Sequence, residues 1–273
     1  MTSPVSSKLD AALKARFSDA PEPPNNLDYL LPIAARGSCR NFADEPIDRA
    51  LLDALIATAF SAPTKSDLQQ RDVVIVTDPE VRTALNEACD TQGWVSGAPL
   101  LLVVLGNHRR QQKIHERQSR HFANDHMDAL FNAAVDGGIL LSSLVTCFEL
   151  AGLGTCPISA IRNKPEDVAA IMNLPALVFP VAALAVGWPK SLPTASPRLP
   201  LSVTVHENRF NDGEEDTLVQ KYDGLRTYEN QRFTNEDGIS DNYGWSEDKA
   251  RQYARTERKS FGKWLENNGF KLV

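Results

Sequence analysis

The sequence predicts an α+β fold in which helices alternate with a few buried strands. Three apolar runs, at residues 73–76, 99–105 and 178–186, have the length and the β-branched content typical of buried strands. A longer apolar segment, Met127–Leu150, predicts a helix that ends at the glycines following it. Because buried strands and amphipathic helices pack in layers, we expect a central sheet flanked by helices.

Shorter patterns predict the remaining elements. Asp48 is a suitable N-cap for a helix whose apolar residues share one face and which ends before Pro63. Residues 205–244 are weakly patterned, which in a compact chain favours a segment that packs on another subunit. Further helices are predicted at residues 8–17, 79–88, 165–172 and 246–267.

Composition and charge exclude several classes of protein. Hydrophobic residues make up 42% of the 273 residues, which is enough to bury a core and argues against disorder. The formal net charge of -6 disfavours nucleic-acid binding. No secretory pattern is visible, and polar residues interrupt Met127–Leu150, so we expect a cytoplasmic protein with no membrane span. The four cysteines form no C-x-x-C pair, so neither a zinc ribbon nor a disulfide framework is indicated.

The first candidate site is the run Arg36-Gly37-Ser38-Cys39-Arg40. In an extended stretch alternate side chains share a face, so residues 36, 38 and 40 converge while Gly37 and Cys39 point away. Two guanidinium groups and a hydroxyl suit a phosphate dianion, because arginine donates paired, charge-assisted hydrogen bonds. A solvated basic turn with Ser38 as a local cap is the alternative from the residues alone.

A series of segments makes the chain resemble the FMN-dependent nitroreductases, and more closely their NADPH-dependent nitroreductase and flavin reductase branch. The resemblance covers nearly everything from about residue 30 onward, and it depends on the order and spacing of the segments. They are Arg36–Phe42 with Asp44–Ile47, Ser61–Gln69, Gly152–Ile158 with Arg162-Asn163, Gly187–Pro189, Pro197–Pro200 with His206–Asn208, Trp245-Ser246 and Leu265–Phe270.

The resemblance implies a central mixed, mostly antiparallel sheet and an intertwined homodimer. It also implies a polar lead-in at residues 1–26, an FMN-binding core at 27–204 and an extension at 205–273 that wraps the partner subunit and shapes the substrate pocket. The implied activity is reduction of nitroaromatics, quinones or flavins by ping-pong hydride transfer through flavin N5, with NADPH or NADH as reductant. The cofactor then carries the chemistry, and no catalytic side chain or metal is expected.

The resemblance also assigns site residues. Substrate contacts are expected from Lys65, Asp67 and Arg258. Pro157 lacks an N–H and cannot donate to the flavin, and Ser196 stands where relatives often carry lysine. The residues expected to bind FMN are Arg36, Gly37, Ser38, Cys39, Arg40, Thr64, Ser66, Gln92, Pro157, Ile158, Ser159, Ala160, Ser196 and Arg198.

Several alternatives stay open at this point. Acidic residues near Glu236 and Asp241, where relatives place cations for the NADPH phosphate, leave the nucleotide preference undecided. Lys65, Asp67 and Pro157 also fit a specialised member of the superfamily that dehalogenates, dehydrogenates or fragments flavin. A non-catalytic FMN-binding protein is a further alternative. The histidines between residues 108 and 126 lack the spacing of a metal site.

Overall fold

The computed structural model describes residues 7–89, 95 and 97–273. Within these residues the chain forms four strands and twelve α-helices. In chain order the elements are α1 Lys8–Arg16, α2 Leu31–Ala34, α3 Arg49–Phe60, β1 Arg71–Val76, α4 Pro79–Cys89, β2 Leu100–Asn107, α5 Arg109–Arg117, α6 Met127–Leu150, β3 Gly154–Ile158, α7 Pro165–Ile171, β4 Val178–Gly187, α8 Leu201–Thr204, α9 Glu215–Leu225, α10 Thr234–Asp237, α11 Trp245–Tyr253 and α12 Phe261–Asn267.

The chain divides into two compact units. The first unit comprises Met1–Gly37 and Thr194–Glu257, and it contains helices only among its described residues. The second unit comprises Ser38–Pro193 and Arg258–Val273, and it contains the sheet. The three domain segments expected from the resemblance stay a prediction.

The sheet of the second unit has the strand order β1-β2-β4-β3, and each described strand pair is antiparallel. Val103 of β2 lies opposite Val74 of β1 on one side and Ala183 of β4 on the other. The predicted α+β class with a mostly antiparallel sheet is therefore confirmed. Strand β3 was not predicted, because Pro157 and the glycines before it interrupt the apolar pattern.

The central strands β2 and β4 are buried on both faces. Along β2, Leu101 and Val103 pack into the cluster that includes α4 and α7, whereas Leu102 and Val104 pack into the cluster that includes α3 and α6. Successive side chains of a strand point to opposite faces, so a continuous apolar run needs helices on both sides. This explains why β2 and β4 are uninterrupted apolar runs and not alternating ones.

Helix α6 has the bounds that the sequence predicts. Its buried side chains include Leu140, Leu144 and Phe148, each fully shielded from solvent. By length and composition alone α6 could cross a membrane, a test that core helices of soluble proteins also pass. One face of the helix packs against the sheet through these side chains.

The predicted single helix at residues 246–267 is wrong, because the structure forms α11 and α12 with a turn between them. Arg258 in this turn has a φ of 54°, a left-handed conformation that no helix interior contains. After the turn, Trp264 and Phe270 pack on Phe179 of the sheet unit. The helical periodicity continues through the break, which is why the pattern alone missed it.

Residues 205–244, which are weakly patterned in the sequence, include a regular helix in the first unit. Helix α9 falls within residues 205–244, and its Tyr222 is buried, with its ring edge-on to Trp245 at 5.8 Å. The Tyr222 hydroxyl donates to the carbonyl oxygen of Pro197 at 3.0 Å. Aromatic contacts and a backbone hydrogen bond therefore fix this segment.

A buried histidine begins the polar segment that follows β2. His108 is 1% exposed, its ring lies 5.2 Å from that of Phe122, and its Nε2 is 3.4 Å from Asp125 Oδ1. Lys271 Nζ lies 2.6 Å from the other oxygen of Asp125. Burial lowers the pKa of His108 below its ordinary value, although the hydrogen bond with Asp125 opposes this. Among the described residues, no group of three or more His, Cys, Asp or Glu side chains could hold a metal ion.

We predict that His108 makes the fold less stable at mildly acidic pH. Unfolding returns the His108 pKa to about 6.5, so between pH 7 and pH 5.5 the unfolded chain takes up the proton first and the free energy of unfolding falls by on the order of 1 kcal/mol. The pKa of Asp125 is also lowered, because its hydrogen bonds outweigh its burial, so its contribution is lost only in stronger acid. Urea denaturation of His108→Gln at both pH values should show a smaller loss than wild type. The exposed His121→Gln is the control, and equal losses in all three proteins would refute the prediction.

Candidate functional site

The predicted phosphate run enters the second unit at Ser38. The Cys39 N–H donates to the carbonyl oxygen of Thr155 at 2.8 Å, so this stretch lies beside the first residues of β3. Cys39 is buried against Gly154, where an added Cβ would stand 2.7 Å from the Cys39 Cβ and Sγ atoms. Ser38 is half-buried and Arg40 is exposed. The inward Cys39 thus leaves the side chains on either side of it facing away from the core.

The first unit holds the other predicted phosphate residues, Arg36, Ser196 and Arg198. The backbone segments around them are joined by Arg16, which donates to the carbonyl oxygens of Arg36 and Ser196. Arg16 is 6% exposed. The sequence pattern did not identify Arg16, because an arginine in a short polar helix has no distinguishing motif. Its burial is visible only in the fold.

The loop between α3 and β1 has unusual backbone conformations. Ser66, Asp67 and Gln69 have φ values of 47°, 55° and 51°. Three non-glycine residues in the left-handed region within four positions cost conformational energy, and such strain concentrates at functional sites. The Lys65 Nζ lies 3.4 Å from the Ser66 Oγ. The strain falls where the resemblance places cofactor and substrate contacts.

A fully buried carboxylate from α6 holds this loop. Asp136 accepts hydrogen bonds from the backbone N–H groups of Lys65 at 2.9 Å and Gln70 at 3.4 Å. Backbone donors in an irregular loop have no ladder partners, so a side chain must accept their hydrogen bonds. Asp136 was not identified as functional in the sequence, where it is one of several polar interruptions of an apolar helix. It acts on the site through the loop.

Arg71 fixes the other end of the same loop. Its guanidinium donates to the carbonyl oxygens of Phe60 at 2.9 Å, Ala62 at 2.6 Å and Pro63 at 2.6 Å. These carbonyls lie at the end of α3 and just after it, where helical acceptors lose their partners. Burial lowers the pKa of Arg71, although the Asp136 carboxylate opposes this. The loop is thus held by one buried cation and one buried anion.

The predicted substrate residues Lys65 and Asp67 line different clefts. Lys65 lines a cleft of about 230 Å³ together with Phe122 and Asn132. Asp67 lines a cleft of about 500 Å³ together with Arg110 and others. Leu68 and Gln111 line both of these clefts.

The residue that follows β3, Ser159, contacts Arg258, the third predicted substrate residue. The Arg258 Nη2 donates to the Ser159 Oγ at 3.3 Å, and both residues belong to the second unit. Pro157 is exposed and Ile158 is buried, so the segment presents Pro157 and Ser159 outward. A residue expected at the substrate and one expected at the flavin edge are therefore in contact. Gln92, also predicted to contact the flavin, lies outside the described residues.

Comparison with known proteins identifies the family. Sequence profiles match over residues 33–188 for the "Nitroreductase family" and over residues 196–273 for the "Nitroreductase family, C-terminal domain". These matches cover most of the chain, and the chain belongs to the nitroreductase family. The resemblance inferred from the sequence motifs is thereby confirmed.

Individual relatives agree with this assignment. The chain is 30% identical to "FMN reductase [NAD(P)H]" of Bacillus subtilis, over 86% of this chain and 94% of the relative. It is 32% identical to "Oxygen-insensitive NADPH nitroreductase" of Salmonella typhimurium, over 70% of this chain and 78% of the relative. The solved structure of B. megaterium NfrA2 superposes with a TM-score of 0.81 at 30% identity, covering 90% of this chain and 99% of that one.

We predict that Asp136→Asn loosens the loop between α3 and β1. The amide retains one acceptor oxygen but loses the charge, and a buried N–H without a partner costs about 1–3 kcal/mol. Hydrogen exchange at the Lys65 and Gln70 amides should therefore become faster. The control is Asp128→Asn, an exposed carboxylate earlier on α6 whose side chain accepts from Asn132. Unchanged protection at both amides would contradict the assigned role of Asp136.

Proposed function

We propose that the chain is an NAD(P)H-dependent FMN oxidoreductase that reduces a small electrophile such as a nitroaromatic, a quinone or a free flavin. FMN-dependent oxidoreduction with NAD(P)H was predicted from the sequence, and the family and the names of the relatives confirm it. The acceptor, the ping-pong order and the individual site residues are the proposed part. The observation that best supports the proposed site residues is the contact between Arg258 and Ser159.

The residues present fit the chemical groups of FMN. Its phosphate is a dianion, and Arg36 and Arg198 supply cations on segments of the first unit that Arg16 joins. Guanidinium groups suit phosphate because they donate two hydrogen bonds in parallel. In the second unit, the predicted residues Ser38 and Arg40 carry a hydroxyl and a guanidinium, which also suit phosphate.

The second unit provides the proposed flavin edge and substrate residue. FMN held here would supply the hydride-transfer chemistry between NAD(P)H and an electron acceptor. Pro157 has no N–H, so a donor toward the flavin must come from the residues after it, of which Ser159 carries both a backbone N–H and a hydroxyl. Arg258 donates to that hydroxyl, and its positive charge would attract an acceptor that bears negative charge. The backbone of Arg258 is in the left-handed region, and strained backbone of this kind clusters at functional sites.

The reductant is proposed to be NADH or NADPH. Arg255 in the first unit bonds to Asp237 at 3.0 Å and lies 3.6 Å from Glu236. These carboxylates neutralise the Arg255 guanidinium, which would otherwise be a candidate to bind the 2′-phosphate of NADPH. The arrangement therefore supports use of NADH alongside NADPH.

We also propose a cytoplasmic homodimer whose core is α6. Phe131 and Val135 on this helix are 59% and 41% exposed, and Gly138 and Ser142 continue the same exposed stripe at helical spacing. An exposed apolar stripe on a core helix marks a surface for a partner. Exposed apolar side chains in the extension, such as Ile239 at 82%, support the proposal that residues 205–273 wrap the partner.

We predict that Arg258→Asn weakens acceptor use without removing FMN. Asparagine tolerates the left-handed backbone, so the substitution removes the guanidinium and leaves the turn intact. KM for a nitroaromatic carboxylate should rise about tenfold, equivalent to about 1.4 kcal/mol. The neighbouring exposed Lys259→Asn is the control. An unchanged KM would show that Arg258 does not contact the substrate.

The ping-pong order has its own test in the wild-type enzyme. Double-reciprocal plots at several concentrations of the second substrate should be parallel, and intersecting plots would exclude the ping-pong order.

We predict that Phe131→Glu weakens the dimer. A charge buried at an apolar interface without a partner is strongly unfavourable, so light scattering after size-exclusion chromatography should show a monomer at concentrations where wild type is dimeric. Leu192→Glu, at a side chain that is 89% exposed on a loop, is the control. A dimer that persists in Phe131→Glu would place the interface elsewhere.

A further inference from the structure

The segment before the family match is a folded part of the first unit. The "Nitroreductase family" profile begins at residue 33, whereas α1 lies well before it. The Ser7 hydroxyl accepts from the Asp10 N–H at 3.1 Å, and the Leu9 N–H donates to Asp28 Oδ1 at 3.2 Å. Leu9 is 3% exposed. Residues 7–32 are therefore held by a helix cap, a long-range hydrogen bond and an apolar anchor.

The last residue of α1 joins the two backbone segments that carry the proposed phosphate arginines. The Arg16 Nε and Nη2 donate to the Ala34 carbonyl at 3.2 Å and 3.0 Å, and Nη2 also donates to the carbonyl of Arg36. Its Nη1 donates to the carbonyl of Ser196 at 2.9 Å. In return, the Arg198 N–H donates to the Arg16 carbonyl oxygen at 2.7 Å. One residue thus bonds directly to the backbone of both arginines.

A second residue of the same segment makes an independent connection. The two carboxylate oxygens of Asp19 accept from the N–H groups of Leu201 and Ser202, each at 2.8 Å. These amides begin α8, three residues after Arg198. A carboxylate that accepts two backbone donors fixes both the position and the direction of a chain. The N-terminal segment therefore holds the backbone around Arg198 at two points, through Arg16 and through Asp19.

We propose that residues 7–32 are a positioning element for the FMN phosphate, in which Arg16 sets the spacing between Arg36 and Arg198. The inference rests on the proposed function, because it takes these two arginines as the phosphate ligands. Recognition of a phosphate dianion by two side chains requires that their backbones be fixed before binding, since ordering them at the moment of binding lowers affinity. Arginine suits the role because its planar fork bonds to several carbonyls at once, which a lysine ammonium on a flexible stem does not.

The test compares FMN with riboflavin, which has the same ring and ribityl chain but no phosphate. Apoprotein is titrated with each flavin, and quenching of flavin fluorescence gives the two dissociation constants. The variants are Arg16→Lys and Asp19→Asn, with Arg36→Ala as the reference for direct loss of a phosphate ligand. Lys14→Ala is the matched control, because Lys14 lies on the same helix and its ammonium bonds to Asp10.

We expect Arg16→Lys to weaken FMN binding about ten- to a hundredfold and to leave riboflavin binding unchanged. Loss of the hydrogen bonds that fix these two backbone segments costs about 1.4–2.8 kcal/mol of binding free energy, and each 1.4 kcal/mol is tenfold in affinity. Asp19→Asn should lower the preference for FMN over riboflavin in the same direction by a smaller factor. Lys14→Ala should bind both flavins as wild type does.

The outcomes separate the inference from the function on which it rests. Equal weakening of FMN and riboflavin in Arg16→Lys would make Arg16 a general structural residue and overturn the inference. If Arg16→Lys and Asp19→Asn both prefer FMN over riboflavin as strongly as the wild type does, the inference is overturned as well. If Arg36→Ala loses this preference in the same experiment, the proposed function still stands. Wild-type protein that binds neither flavin would overturn the proposed function itself. Thermal melting of each apoprotein identifies a variant that fails to fold, and the remaining variant then decides.

Discussion

The burial of β2 and β4 on both faces is the constraint on which the second unit depends. Val103 and Val104 of β2 are both fully shielded although they point to opposite sides of the sheet. Such strands need helices on each face, and α6 covers one face with Leu140, Leu144 and Phe148. Because α6 is fixed there, its Asp136 reaches the loop before β1. The geometry of the candidate site therefore follows from the packing of the core.

Buried polar side chains carry this geometry from the core to the loops. Asp136 accepts from the N–H groups of Lys65 and Gln70, and Arg71 donates to carbonyls at the end of α3. Each of these hydrogen bonds satisfies backbone groups that regular structure leaves without partners. The loop between α3 and β1 is held in this way without becoming part of the sheet. Removing one partner leaves the other buried and unsatisfied, so these few side chains have large effects on local order.

The sequence predicted those parts of the fold that depend on local pattern. The bounds of α6 and the Asp48 cap of α3 follow from apolar periodicity and cap chemistry, and both are present. Strand β3 was missed because it is short and contains Pro157, and its place in the sheet comes from pairing with β4. The break at Arg258 was missed because the helical periodicity continues across it. Local pattern does not encode pairing or backbone reversal of this kind.

The candidate site shows the same division. The alternation around Cys39 is a local property, and the structure buries Cys39 and leaves its neighbours outward as the pattern predicts. Asp136 and Arg16 act across 71 and 180 residues, on the Lys65 N–H and the Ser196 carbonyl respectively. No spacing rule connects residues so far apart, and only the folded chain brings them together.

Burial separates Arg16 and Arg71 from Arg198 in this acidic chain. Arg16 and Arg71 are 6% and 4% exposed, and their guanidinium groups bond to carbonyl oxygens of the backbone. Arg198 is exposed, and its backbone N–H donates to the Arg16 carbonyl oxygen at 2.7 Å. A guanidinium already surrounded by carbonyls has few donors left for a ligand, whereas an exposed one on a fixed backbone binds an anion with little loss of conformational freedom. At the proposed phosphate site, the buried Arg16 thus fixes the backbone on which the exposed Arg198 acts, and a count of charges in the sequence does not distinguish the two.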